Sequence, residues 1–146
     1  MQLEIFRGPY QPALAGGFQI ESCRLLTDIS LRCAYGWTPF QPAIVDTGAP
    51  VSLLPHRFWQ SADVQPLGRI RVGGISRRPE CLVDVTLAKV VLAIRNPTAQ
   101  IAPIEAHALL ADSDETPTLI GMRGVFTDLV LYTNIAKDTA YIETQT

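Results

Sequence analysis

The stretch AIVDTGAPVSLLP, Ala43 to Pro55, sets a carboxylate at the end of an apolar run. Ile44 and Val45 are β-branched and apolar, and Asp46 follows them directly. A lone carboxylate buried at a core edge is costly, so it needs a partner, a metal or a cleft. Thr47 adds a hydroxyl that could tie the loop to a neighbour. Gly48 permits a tight turn and close approach of another backbone. Two such loops face to face would set two carboxylates side by side. Like charges at that distance cannot both ionise, so the pair shares a proton. One member then acts as general base on a water, and the other as general acid toward a carbonyl oxygen. By itself the triplet is weak. About 2% of chains this length would carry it by chance, and Asp and Gly are both common in turns.

Other chemistries have less to stand on. Cys23, Cys33 and Cys81 form no C-x-x-C pair, and their odd number cannot all be paired within one chain. His56 and His107 lie far apart, so neither a metal site nor a cofactor is expected. A net charge of −2 exerts no general pull on nucleic acid or anionic membrane. Four arginines, Arg69, Arg71, Arg77 and Arg78, fall within ten residues. They read as a solvated hairpin face or as a surface that prefers acidic partners. The start, MQLEIFRG, lacks the basic and apolar regions of a signal peptide, and the longest apolar stretch, VVLAI, is too short to span a bilayer. The expectation is a cytoplasmic protein in a reducing compartment, with no membrane partner.

The elements that must position Asp46 are mostly short strands. With 146 residues and 47% hydrophobic content, the chain suits one domain, 1–146, with residues 1–35 as extra N-terminal strands. QLEIF alternates like a strand, and PYQPALAGG is a loop. Phe18 to Tyr35 reads as two strands with a turn near Thr27 and Asp28. PHRFWQ predicts one helical turn, with Pro55 at its start. LGRIRV and ECLVDVTL flank GGISRRP, a hairpin signal. AKVVLAI and IAPIEAHALL predict strands around an Asn96-Pro97 turn, and ADSDETPT a polar loop. LVLYTN and AYIE predict closing strands. The fold class is therefore mainly β, with one or two short helices.

The order and spacing of these segments resemble the retropepsin-like aspartic proteases, bacterial members above all. The resemblance runs from about Gly36 to Glu143 and rests on VDTGA, RIRVGGIS, CLVDVTLAKVVLAI, IEAHALLA and TLIGMRGVFTDLVLYTN. It implies a closed, barrel-like acid-protease fold and peptide-bond hydrolysis without a cofactor. It matches Asp46 to the catalytic aspartate, and Thr47 to a hydroxyl that interlocks with its counterpart across a dimer. Gly48 matches a glycine whose carbonyl takes substrate hydrogen bonds, and Ala49 completes the loop. Val72, Gly73, Gly74 and Ile75 match a flap tip closing over a polypeptide substrate. Ile120 and Gly121 match the segment behind the loop, which the family follows with a short helix and where the apolar residue also lines a pocket. One D-T-G per chain implies a homodimer.

Three positions depart from the pattern. Retroviral members often carry an acid after D-T-G-A and an arginine after the later glycine, whereas Pro50 and Met122 stand here. Ala49 replaces the Ser or Thr of pepsin-like enzymes. The 45 residues before Asp46 exceed the retroviral length, and can cover a sheet edge or alter the dimer interface. A second reading is therefore a related domain kept for dimerisation or peptide binding with little catalysis, and a third is a plain β-barrel without a site.

Overall fold

The longest strands carry an alternation that puts one face inside. The computed structural model describes residues 1–9, 21–73 and 82–145. Strand β7 (Val83–Arg95) buries Val85, Ala88, Val90, Leu92 and Ile94. It pairs antiparallel with β8 (Gln100–Ala111), and a register shift between Leu92 and Ile94 lets the pair bend. The turn joining them is built on Asn96, as the sequence predicts. Its Oδ1 accepts from the N–H groups of Thr98 and Ala99 at 2.9 and 2.7 Å.

Six strands close into a barrel. Strand β2 (Glu21–Cys33) pairs antiparallel with β4 (Gln41–Val45), and β4 lies parallel to β9 (Leu119–Ile120). Strand β9 meets β5 (Ser52–Leu54), β5 lies parallel to β8, and β7 pairs with β2 to close the ring. Closure removes the free edges of these strands. The interior is filled by Ile29, Leu31, Leu54, Phe58, Leu92, Ile94, Leu110 and Ile120, all at most 1% exposed. Each such side chain contributes about 1.5–3 kcal/mol by leaving water.

The remaining strands lean on this ring. Strand β1 (Glu4–Pro9) extends β2 on the outside, and β6 (Val64–Val72) extends β7. The short β3 (Gly36–Trp37) folds back on the end of β2. Helix α1 (His56–Trp59) forms where PHRFWQ predicts it, burying Phe58 and donating Trp59 Nε1–H to Ala111 O at 2.8 Å. Strands β10 (Leu129–Asn134) and β11 (Thr139–Thr144) form a separate ribbon, joined by a 3-10 turn at Ile135–Lys137. Residues 1–3 lie along the other edge of β11, with Leu3 N–H donating to Ala140 O at 2.9 Å and Ile142 N–H to Met1 O at 2.8 Å.

Two sequence expectations need correction. Phe18 to Tyr35 is not a pair of strands with a turn at Thr27; from Glu21 to Cys33 it is one strand of 13 residues. The polar pair Thr27-Asp28 marks the place where β2 changes partners, β4 pairing over Leu25–Ile29 and β7 over Asp28–Leu31. Thr27 is satisfied there by donating Oγ1–H to Arg95 O at 3.0 Å. The short helix expected after Gly121 is a single turn, closed by Phe126 N–H to Met122 O at 3.0 Å. Gly124, at φ +87°, takes the left-handed conformation that ends a right-handed helix.

The tightest packing is where β9 crosses β5. A Cβ on Gly121 would lie 2.3 Å from Val51 C and 2.4 Å from Val51 O, both backbone atoms. Around Gly68, on β6, a Cβ would meet nothing within 4 Å. Gly121→Ala should therefore cost about 3 kcal/mol, roughly 10 °C in melting temperature. Gly68→Ala should stay within about 0.5 kcal/mol of the wild type. Thermal melts of the two variants check this; equal melting temperatures would show that the crossing relaxes easily.

Candidate active site

Asp46 stands where a buried strand runs out. Val45 is 6% exposed and faces the core, and the next residue leaves the sheet. The parallel pairing Val45 to Ile120 extends one step further, since Asp46 N–H donates to Ile120 O at 2.9 Å. The backbone of Asp46 is thus held by a strand that is 74 residues away in sequence. The chain then turns sharply. Ala49 N–H donates to Asp46 O at 3.2 Å, and Gly48 N–H to Asp46 Oδ1 at 2.9 Å. This local bond orients the carboxylate and leaves Oδ2 without a hydrogen-bond partner among the described residues. The side chain is half-buried, and Thr47 and Gly48 are exposed.

Behind the loop lies a second layer. Gly121 N–H is buried and donates to Ser52 Oγ at 3.1 Å. Met122 N–H donates to Ala49 O and Arg123 N–H to Pro50 O, each at 2.9 Å. The D-T-G loop is therefore clamped to the segment after β9 by main-chain bonds. No charge is needed at Pro50 or Met122 for this contact. The sequence marks Ser52 only as part of the surroundings of the D-T-G triplet, not as a partner of Gly121; a serine beginning a short apolar strand, two residues after a proline, was the available signal.

The loop forms one wall of a cavity of about 1530 Å³. Asp46, Thr47, Gly48 and Ala49 line it together with Val72 and Gly73, from the end of β6. Gly74 and Ile75, also expected at the flap tip, lie outside the described residues. Ile120 does not line the cavity as expected. It is fully buried in the core, and Leu119 faces the cavity in its place. Successive residues of a strand point to opposite faces, so only one of the two can reach the opening. Gly121 serves as backing rather than lining.

Other walls were not foreseen. One is Arg57, from α1, with the loop 113–117 that the sequence shows only as part of a polar loop. Another comes from Leu25 on β2 and from Leu131 and Thr133 on β10. Their signal was the alternation of their strands, which does not reveal what a face points at. Two of the four clustered arginines can be placed. Arg69 pairs with Asp112 at 2.7 Å and Arg71 with Asp84 at 2.8 Å, all exposed. The hydrogen bond to Asp112 raises the Arg69 guanidinium above its ordinary value, with the Asp112 charge adding to it. These two belong to a solvated face; Arg77 and Arg78 lie outside the described residues.

Among the described residues no group of three His, Cys, Asp or Glu could hold a metal, and no helix is long and apolar enough to cross a membrane. Cys23 is exposed and Cys33 half-buried, both as free thiols.

The Ser52 bond is the part of this layer open to a simple test. Ser52→Ala leaves the buried Gly121 N–H without its acceptor and should cost about 1–3 kcal/mol. A denaturant titration measures it, and an unchanged midpoint would mean that the bond contributes nothing. No protein-family model matches the chain, and a comparison with curated proteins returned no match either.

Proposed function

We propose that the chain is a retropepsin-like aspartic endopeptidase, hydrolysing peptide bonds with Asp46 and the Asp46 of a second copy. The observation that carries this reading is a half-buried carboxylate, one oxygen of which is unengaged among the described residues, on the wall of a cavity large enough for several residues of extended peptide. A carboxylate held this way, by its own loop and by a distant strand, is positioned rather than merely tolerated.

The chemistry follows from two such groups sharing one proton. The ionised carboxylate takes a proton from water as the water oxygen bonds to the peptide carbonyl carbon. The protonated carboxyl gives its proton to the carbonyl oxygen, so the product is a neutral gem-diol. Collapse of the gem-diol breaks the C–N bond, with a proton delivered to the leaving nitrogen. Apolar lining from Leu25, Leu53, Leu109 and Leu119 suits side chains flanking that bond. One chain supplies one carboxylate, so the reaction requires the second copy.

A specific observation favours a second reading, a peptide-binding domain with little catalysis. Both edges of β11 are taken within the chain, by β10 on one side and by residues 1–3 on the other. A second copy then has no free edge of β11 to pair with, and the exposed Thr47 loop is one surface left for its approach.

Asp46→Asn keeps the shape of the side chain and removes the base. It should abolish peptide cleavage, by at least about 10³-fold, while the melting temperature and sedimentation coefficient stay unchanged. Cleavage at the wild-type rate would remove Asp46 from the mechanism, and a strict monomer that still cleaves would remove the dyad.

The shared proton also fixes the shape of the pH profile. Activity should fall at low pH, where both carboxyls are protonated, and again at high pH, where both are ionised. A pH–rate profile on a peptide mixture checks this. Activity that keeps rising into alkaline pH would require another nucleophile or base.

A further inference from the structure

We infer that the cavity wall made by Arg57 and the 113–117 loop is a subsite for an acidic side chain of the bound peptide. This rests on the reading of the cavity as a peptide site, though not on its being catalytic.

Arg57 is anchored and yet unspent. Its backbone N–H donates to the Asp114 carboxylate, and its Nη1 donates to Asp114 O at 2.7 Å. These two bonds hold the guanidinium against the loop. The other guanidinium nitrogens, Nε and Nη2, have no hydrogen-bond partner among the described residues. No ion pair among those residues includes Arg57, whereas Arg7, Arg69 and Arg71 each hold a carboxylate. A guanidinium is a planar fork of five donors that matches a carboxylate with two parallel bonds. Fixing it in advance lowers the entropy lost when a ligand binds.

The same wall holds a second unspent group. Thr116 is 9% exposed and lines the cavity, and its Oγ1 is buried without a hydrogen-bond partner among the described residues. A buried hydroxyl left unsatisfied destabilises the free protein, and an arriving acceptor that shifts the loop slightly would relieve it.

The charges facing this wall decide the sign. Asp46, Asp114 and Glu115 also line the cavity and Arg24 is the remaining cation, so without Arg57 three acids face one base and the field repels a carboxylate. Removing Arg57 should therefore reverse the preference rather than merely weaken it. Arg24, on β2, is the other arginine on the cavity and the natural control.

The experiment compares peptides that differ only in Glu against Gln at single positions flanking the cleaved bond. The wild type should cleave the Glu peptide about tenfold faster at one position, a modest value for one charge pair near solvent. Arg57→Ala should favour the Gln peptide, Arg57→Lys should keep part of the Glu preference, and Arg24→Ala should keep all of it. Thr116→Val should weaken the Glu preference while raising the melting temperature, a combination that a purely structural role would not produce. The inference is overturned if the wild type shows no Glu preference, if the preference survives Arg57→Ala, or if it follows Arg24. Should no peptide be cleaved, the same pairs are tested for binding to the Asp46→Asn protein by fluorescence anisotropy. Glu-selective binding that depends on Arg57 would uphold the subsite while the peptidase reading falls. Equal binding of Glu and Gln peptides, or none, would overturn the subsite.

Discussion

Everything about the candidate site depends on two residues, Leu119 and Ile120, wedged between strands that belong to other parts of the chain. Ile44 N–H donates to Thr118 O at 3.0 Å, and Asp46 N–H to Ile120 O at 2.9 Å. On the other side Leu53 pairs with Leu119, and Ser52 takes the Gly121 N–H. A strand this short has no stability of its own. It is held because Ile120 fills the core and because Gly121 lets Val51 approach to a distance that excludes any side chain. Without this wedge β4 and β5 would face a gap in the ring, and Asp46 would be a residue in a free loop. The catalytic-looking geometry and the barrel closure are thus one constraint.

That constraint also explains which parts of the molecule were legible from sequence. The Asn96 turn, α1 and the β7–β8 hairpin follow from local chemistry, and local chemistry is what a sequence displays. Gly124 and Thr27 misled for the opposite reason. The family resemblance implied a short helix after Gly121, but the left-handed backbone of Gly124 allows one turn only. Thr27 and Asp28 read as a turn, but the barrel uses their polarity where β2 passes from one neighbour to another. The D-T-G loop was visible as a motif, and its clamp was not. Ser52, Arg57 and Thr116 gain meaning only from residues more than fifty positions away, and no periodicity announces such pairs. Leu119 and Ile120 were separable in principle, since alternation requires that only one face the opening, but not which one.

The arrangement of the chain ends bears on how two copies could meet. Met1 to Leu3 complete the β10–β11 ribbon from within the same chain, and the Met1 ammonium donates to Ile142 O at 2.7 Å. Arg7 adds a further tie, bonding Ile135 O and pairing with Asp138. The ribbon is therefore a finished unit on three sides. Among the described residues no strand pairs with the outer edge of β10, and on one face of that strand Val130 and Tyr132 are 38% and 41% exposed, with Tyr132 stacked on Tyr141 at 4.8 Å. The other face of the same strand carries Leu131 and Thr133 into the cavity beside Asp46. Anything that pairs with β10 is consequently felt at the cavity wall.

The single chain already limits what Asp46 can do. Its Oδ1 accepts from Gly48 N–H, and the residue lines a cavity whose other acids, Asp114 and Glu115, belong to the 113–117 loop. The proposed hydrolysis by two carboxyls needs one proton held between two oxygens with little water around them. On that proposal the second carboxyl comes from a second copy, which symmetry supplies at no cost in sequence. A fold that exposes Thr47 and Gly48 at the tip of the loop, while clamping the segment behind them, leaves the loop open to such an approach.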